Sequence, residues 1–534
     1  MKAVRFFKFS SKNIATATAL TAAAAALTIQ ASSKNSDRFD EIRAGFDGIL
    51  RSSRAIYTVR SITLLISVTL NTVDYKYSLR GIHSDSDEYR RKLAEVHHRS
   101  AKRILKLCEG NKGFYVKAGQ FVAAVRQVPK EYSSTLSSLQ DKAAPCQLNA
   151  IKKVLASNLG HDWSDLFSSF DEKPIAAASI AQVHHAVLKD QSEVAVKVQY
   201  PGLKYQMKID IITMDLLSKA ISWIFPEYRF DWMISEFERA ISLELDFIQE
   251  AKNSERTAEN LKSNSMVCIP RVFWDLTTSH VLTMEYCPGI KSQWNQYVDA
   301  LDLLKKNKIN PVKVAKALVE VFAEMIFVHG FLHGDPHPGN ILVSPEGHDD
   351  FSLILLDHGV YKELDQEFRL EYCQLWKALI LQDSKQIEFL GENFGVGKYS
   401  KYFPIIFTGR TVDSKAVLGT GMSAEEKNKL KLELKSLKMD DISSFMESLP
   451  SDFLTILRTD GLLRSIVSKL GASQRIRLFA YAKYAVYGLS RKLEPLTDPA
   501  LDSVASQLKA TLAYLRLRLF VGRFPCAHFT GWLF

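Results

Sequence analysis

Apolar positions along this chain keep helical spacing to about residue 160 and then switch to the alternation of strands. Asp87 to Leu107 interleaves charged and apolar residues at helical spacing and closes at Glu109-Gly110. A second helical run carries Lys117-Ala118-Gly119-Gln120, and a third, Leu148 to Leu159, is stopped by Gly160. Ile180, Gln182, Val183, His184 and Ala186 then alternate, a turn follows at Lys189-Asp190-Gln191, and Val194-Ala195-Val196-Lys197-Val198 makes the next strand. Residues 208–257 return to helical spacing, and Val281 to Glu285 is a strand that runs through Tyr286-Cys287 into the turn Pro288-Gly289. Pro311–His329 is a well-specified helix, with Asn310 as N-cap, Pro311 at the first helical position and Gly330 past the end. Leu318, Phe322 and Met325 line one face of it and belong to a core. Two short apolar runs, Ile341–Val343 and Phe351–Leu356, read as strands. Leu364, Phe368, Tyr372, Leu375 and Leu379 then begin a helical region that reaches about residue 495.

Chemistry gathers where helix gives way to those last strands. In Phe331-Leu332-His333-Gly334-Asp335-Pro336-His337-Pro338-Gly339-Asn340, an Asp and an Asn sit five positions apart on a tight Pro/Gly loop. A phosphoryl-transfer loop needs that pair: the carboxylate orients a nucleophile or takes its proton, and the amide oxygen reaches Mg²⁺. The second strand delivers Asp357-His358-Gly359, a carboxylate at a strand end where a second metal ligand belongs. Lys197, among valines at a strand centre, has the setting of a phosphate-pairing lysine or of an ordinary edge lysine. Ala176, Ala177, Ala178 and Ser179 stand upstream, where a phosphate-covering loop would carry glycines. Glu244 and Glu250 flank Asp246, and on one continuous helix the two would point roughly 120° apart, toward different partners. His333, His337 and His358 cluster near the loop, but without a fourth ligand at suitable spacing they read as loop-bracing residues and not as a transition-metal site.

Composition changes this picture little. The chain is long enough for two or more units, and its net charge of +10 comes from dispersed basic residues with no nucleic-acid motif beside them, which argues against nucleic-acid binding. Six scattered cysteines without a Cys-x-x-Cys pair argue against a zinc ribbon and a secreted disulfide framework. The ends say more. Residues 1–36 carry Lys2, Arg5, Lys8, Lys12 and Lys34 and no acid before Asp37, the character of an organelle transit peptide, mitochondrial first and plastid second. Ile62–Val73 is apolar but, as a helix, covers only about 18 Å, which leaves an interfacial helix and a marginal membrane span both open. Leu501 to Phe534 mixes Arg516, Arg518 and Arg523 with Leu, Phe and Trp and reads either as an amphipathic surface helix or as a partly ordered end.

Taken in order, these motifs resemble the UbiB-type atypical kinase-like family, in its AarF-domain-containing subgroup, over roughly residues 110–390. The likeness rests on Lys117-Ala118-Gly119-Gln120, Ala176-Ala177-Ala178-Ser179, Val194-Ala195-Val196-Lys197, Glu244-Leu245-Asp246 with Glu250, His333-Gly334-Asp335 to Asn340, and Asp357-His358-Gly359. It implies an α+β, two-lobed protein-kinase-like fold, with a small β-rich N-lobe, a helical C-lobe and a helical N-terminal extension over the active site. The implied organisation is a transit peptide (1–36), a membrane-proximal helical segment (37–85), the extension (86–165), the N-lobe (166–284), the C-lobe (285–495) and a tail (496–534). It implies ATP or ADP with Mg²⁺ as ligands. Lys197 would contact phosphates and pair with Glu250, and the alanine loop would alter nucleotide pose. Backbone groups of Glu285 and Cys287 would meet the adenine. Asp335 would take the catalytic role, and Asn340 and Asp357 would hold the metal. Lys117 would reach Glu244 and lock the extension, with Gly119, Gln120 and Asp246 in the same motifs.

Two functions of different class follow. One is a Mg²⁺-dependent atypical kinase or ATPase, acting on a small or lipid-like substrate in mitochondrial membrane lipid or isoprenoid-quinone homeostasis. The other is a non-catalytic, nucleotide-gated scaffold for membrane-associated protein partners. A protein Ser/Thr kinase is disfavoured, because no Ala-Pro-Glu and no long Ser/Thr/Gly-rich segment follows Gly359.

Overall fold

The computed structural model describes residues 86–111, 113–124, 128–140, 145–160, 163–224, 244–287, 300–346, 350–411 and 448–490, with 50–54 and scattered positions besides. The transit-peptide stretch, the Ile62–Val73 segment, the Pro288-Gly289 turn and nearly all of the C-terminal tail lie outside the described residues. Among the described residues no helix is long and apolar enough to cross a membrane. The chain forms two compact units: Met1–Ile248 with Phe273–Tyr286, and Gln249–Val272 with Cys287–Phe534.

The first unit opens with helices α1 (Asp87–Asn111), α2 (Gly113–Ala124) and α3 (Lys130–Leu136), which pack on one another and bury Val96, Leu107, Cys108, Tyr115 and Leu136. Helix α4 (Leu148–Leu159) ends on Gly160 at φ 71°, a left-handed residue whose amide closes on the Ala156 carbonyl. An antiparallel sheet follows in the order β1 (Phe167–Phe170), β3 (Ala181–Leu188), β4 (Glu193–Gln199), β5 (Val281–Glu285), with the two-residue β2 (Ala176–Ala177) beside β3. Alternation along β4 sends Val194, Val196 and Val198 toward Ile151 and Leu155 of α4, and puts Lys197 on the other face. Helix α5 (Leu203–Ile224) holds Asp210, buried and paired with Arg51 of the 50–54 segment.

The second unit contains most of α6 (Phe247–Leu261), because the division falls after Ile248. Helix α7 (Pro311–Glu324) is capped as its sequence requires: Asn310 Oδ1 accepts from the Val312 amide at 2.9 Å. One wider turn, Met325–His329, lets it end on Gly330 at φ 63°. The three-residue strands β6 (Phe331–His333) and β9 (Tyr361–Glu363) pair antiparallel, and between them β7 (Ile341–Glu346) and β8 (Asp350–Leu355) form a hairpin. Helices α8 (Gln366–Leu381), α9 (Ser384–Asn393), α10 (Ser451–Lys469) and α11 (Arg475–Leu489) follow in the same unit. Phe327, Tyr372, Trp376 and Tyr481 meet in its core, where Gly488 lets α11 come down on the Phe327 carbonyl.

The structure corrects one geometric expectation. Glu244 and Glu250 do not share a helix: the chain turns at Leu245, and α6 starts afresh at Phe247. The short Asp246 side chain accepts the Ile248 amide at 3.0 Å, so this residue is the N-cap of α6 and the break is written into its chemistry.

His184, in the middle of β3, carries a stability prediction. Its Nδ1 donates to the Asp171 carbonyl at 2.7 Å, which leaves Nε2 to accept from Gln182 at 2.8 Å, and its ring stacks on Phe170. Burial lowers its pKa, and a second proton would set one donor against another. The unfolded chain takes up that proton near pH 6.5 while the folded chain resists it, so the contribution is complete above that pH and is lost as pH falls toward the folded value. Melting temperature measured from pH 7.5 to 5 should therefore fall, and His184→Asn should flatten part of that slope; an unchanged slope would contradict this account.

Candidate functional site

The loop His333–Asn340 and Asp357 belong to the second unit, where the loop is closed by hydrogen bonds of its own. The Gly334 amide donates to the Val360 carbonyl at 2.8 Å, the register of β6 against β9 carried one residue further. A Cβ on Gly334 would stand 3.0 Å from a Val360 methyl, so the close approach favours glycine. The Asp335 amide donates to His333 Nδ1 (3.1 Å) and the His337 amide to the Asp335 carbonyl (2.9 Å). His337 Nδ1 accepts the Gly339 amide at 3.0 Å and caps the short turn Pro338–Asn340. Asn340 Nδ2 then donates back to the Asp335 carbonyl at 3.1 Å, which leaves Oδ1 as the remaining acceptor of a buried side chain. The Leu356 amide donates to the Asn340 carbonyl at 3.0 Å and binds the loop to the residue before Asp357. Asp357 Oδ1 accepts the Gly359 amide at 3.0 Å.

The histidines brace this arrangement. His358 Nε2 donates to the Leu355 carbonyl and Nδ1 accepts from the Tyr361 hydroxyl, while Asn253 Nδ2 holds the His358 carbonyl. His333 is fully buried, and burial lowers its pKa against the opposing pull of Asp335 and Asp357. Its ring is therefore neutral near pH 7 and able to accept from Asp335. Glu250 is buried as well, and burial together with the Asp357 and Glu250 carboxylates pushes the Tyr361 phenol up.

An amide oxygen from Asn340 and a carboxylate from Asp357 are hard donors, of the kind Mg²⁺ takes while keeping water or phosphate oxygens in its remaining positions. No cluster of three or more His, Cys, Asp or Glu side chains suited to a metal occurs among the described residues. The two oxygen donors fit a hard cation such as Mg²⁺.

In the first unit, Lys197 is buried at the centre of β4, between Val183 of β3 and Leu282 of β5, with its Nζ 5.1 Å from the Phe247 ring centroid. Its neighbour on that face, Gln199, donates to the Leu245 carbonyl at 2.8 Å. Glu250 belongs to the other unit. Ala176 and Ala177 pair with Val183 and Gln182, and the Ala178 amide closes a turn on the Ala181 carbonyl at 2.8 Å. Ser179 is buried with its hydroxyl unpartnered, and its carbonyl lies near Gly113 at the start of α2. Lys117 Nζ stands 3.0 Å from Glu244 Oε2, with side chains 18% and 10% exposed. Gln120 donates to the Leu139 carbonyl at 3.0 Å, and Gly119 admits Leu139 and Cys108 against α2. Glu285 ends β5 opposite Val194, the Tyr286 amide bonds the Glu193 carbonyl, and the chain passes to the second unit at Cys287, which packs on Leu342 and Ile354.

One contact had no signal in the sequence. Arg458 of α10 places Nη2 3.6 Å from Asp335 Oδ1. A single arginine on a mixed helix looks like any solvated one, and only the fold brings it to the loop.

Comparison with known proteins defines the class. The ABC1 atypical kinase-like domain matches residues 138–390. The chain is 38% identical over 482 residues to AarF domain-containing protein kinase 1 of Xenopus tropicalis, covering 89% of this chain and 88% of that one. It is 34% identical over 436 residues to AarF domain-containing kinase 1 of Drosophila melanogaster, covering 81% and 82%. A structural likeness exists to Rv3197 of Mycobacterium tuberculosis in its erythromycin complex, at a TM-score of 0.47 and 21% identity over 74% of this chain and 99% of that one. This chain belongs to the ABC1 atypical kinase-like family, and its fold is the α+β, two-lobed kinase-like fold of that family.

The Lys117–Glu244 pair is largely withdrawn from water, so removing either charge takes this contact from a partner that stays desolvated. Lys117→Met or Glu244→Gln should each cost about 1–3 kcal/mol in urea unfolding, less than for a fully buried pair. The double variant should recover part of that loss; strictly additive losses would show that the two charges are not coupled.

Proposed function

We propose that this protein is a Mg²⁺-dependent, nucleotide-binding enzyme of the atypical kinase type. In this reading it hydrolyses ATP, or transfers its terminal phosphoryl group to a small or lipid-like acceptor in organelle membrane lipid or isoprenoid-quinone homeostasis. The observation that carries the reading is the hydrogen-bonded loop that holds Asp335, Asn340 and Asp357 together in the second unit. Asp335 orients the attacking hydroxyl or water and receives its proton as the bond to phosphorus forms. Asn340 Oδ1 and Asp357 hold Mg²⁺, which when bound neutralises charge on the phosphate oxygens. Lys197 supplies an ammonium for the nucleotide phosphates, with Glu250 as its orienting partner; Ala176–Ala178 and Ser179 cover the phosphates, and backbone groups at Glu285 and Cys287 take the adenine. The membrane setting rests on the basic, acid-free residues 1–36, which favour a mitochondrion over a plastid, and on the apolar run Ile62–Val73.

A second reading, a nucleotide-gated scaffold, draws support from the Lys117–Glu244 pair within the first unit. In that reading nucleotide binding moves the extension and membrane-associated partners sense it. A protein kinase is disfavoured, because the chain goes from Gly359 through β9 straight into α8, with no long segment between them to seat a peptide.

Thermal unfolding of the full chain with ATP or ADP, with and without Mg²⁺, tests nucleotide binding. At 100 times the dissociation constant the ligand should stabilise the protein by about 2.7 kcal/mol. The Mg²⁺-dependent part of that shift should vanish in Asp357→Asn; no shift with any nucleotide would sink both readings. Asp335→Asn separates them: an enzyme keeps nucleotide binding and loses roughly 10²–10⁴-fold in turnover, whereas a scaffold keeps its cellular activity.

A further inference from the structure

Helix α10 lies beyond the residues that match the ABC1 domain, yet it is built onto the catalytic loop. At its start, Ser451 Oγ and Asp452 Oδ1 both take Lys362 Nζ of β9, at 3.0 and 2.8 Å, and Asp452 Oδ2 accepts the Asp365 amide at 3.0 Å. One turn later the Thr455 methyl lies 3.8 Å from where a Cβ on Gly334 would stand. The next residue at helical spacing on that face is Arg458, whose side chain is 26% exposed beside a 15%-exposed Asp335.

The opposite face of α10 fixes how the helix is rotated. Asp460 is buried there between Arg477 (2.9 Å) and Arg464 (2.6 Å). Those arginines also donate to the Phe407 carbonyl, at 2.6 Å from Arg477 and 3.1 Å from Arg464. A helix pinned on both faces aims Arg458 at the loop, which distinguishes this pair from the common surface ion pair that forms and breaks in solvent.

We propose that Arg458 is a positioning residue for Asp335: it aims that carboxylate and offsets its charge as a polyphosphate approaches the loop. The inference rests on the nucleotide-binding reading above. The Asn340 side chain bonds the Asp335 carbonyl and its backbone bonds the Leu356 amide, so the segment carrying Asp357 runs beside the loop that carries Asp335. A nucleoside triphosphate entering there meets repulsion from both. Asp357 would have its charge offset by the Mg²⁺ it would hold, and the guanidinium offsets that of Asp335. In a partly buried site such a charge acts far more strongly than in bulk water. By this account a C-terminal helix outside the matched domain tunes the catalytic loop.

The test is a double-mutant cycle in the full chain: wild type, Arg458→Gln, Asp335→Asn and the double variant, with Arg458→Lys as the charge-conserving control. Two quantities are read, the melting temperature without ligand and the ATP dissociation constant from Mg²⁺-ATP titrations. Arg458→Gln should weaken ATP on the order of tenfold in the wild-type background and less than about twofold once Asp335 is neutral. Arg458→Lys, keeping the charge without the planar fork, should fall between wild type and Arg458→Gln. Equal weakening in both backgrounds would mean a structural role only, and no weakening would mean a bystander; either overturns the proposal. If the wild type binds no nucleotide, the proposed function fails and the nucleotide role of Arg458 fails with it. The ligand-free cycle then judges the pairing alone: coupled melting shifts retain it, and additive shifts remove it.

Discussion

Asn340 divides its side chain and its backbone between two tasks, and the loop depends on that division. Its amide nitrogen goes to the Asp335 carbonyl, while its backbone carbonyl takes the Leu356 amide just before Asp357. Asp335 and Asn340 are thus bonded to each other and to the residue before Asp357, and moving either strands a polar group. An unpaired buried donor or acceptor costs about 1–3 kcal/mol, so the loop has few alternative shapes to visit. The rest of the second unit serves this closure. The left-handed Gly330 turns the chain off α7, β6 and β9 fix where the loop begins, and the β7–β8 hairpin brings Asp357 back beside Asn340.

What could be read from the sequence was whatever repeats or punctuates. Asn310-Pro311 and Gly330 bracket a helix by local chemistry alone, and the valines of β4 announce a strand through their alternation. The strands β6 and β9 escaped because three residues are too few to display a period, and their pairing is set by the loop they enclose. The break between Glu244 and Glu250 escaped for another reason. Asp is tolerated inside a helix and favoured at its start, and only the Ile248 amide it captures shows which role Asp246 plays. Arg458 was the least legible of all, because its partner lies far back in the chain and nothing near it in sequence marks it.

Segments outside the matched domain are attached to it by charge as much as by apolar contact. Arg51 reaches Asp210 of α5 and the Asn111 carbonyl at the end of α1, Lys117 reaches Glu244, and Lys362 reaches Asp452 of α10. Apolar packing alone would hold these helices while tolerating small rotations, since it is non-directional. A buried or half-buried ion pair adds little net stability once desolvation is counted, but it penalises every geometry that separates the charges. That asymmetry suits helices whose position matters more than their strength of attachment. It also means that a ligand able to compete for one of these charges can release a segment without unfolding the unit beneath it, the physical requirement for a nucleotide to act on the extension at all.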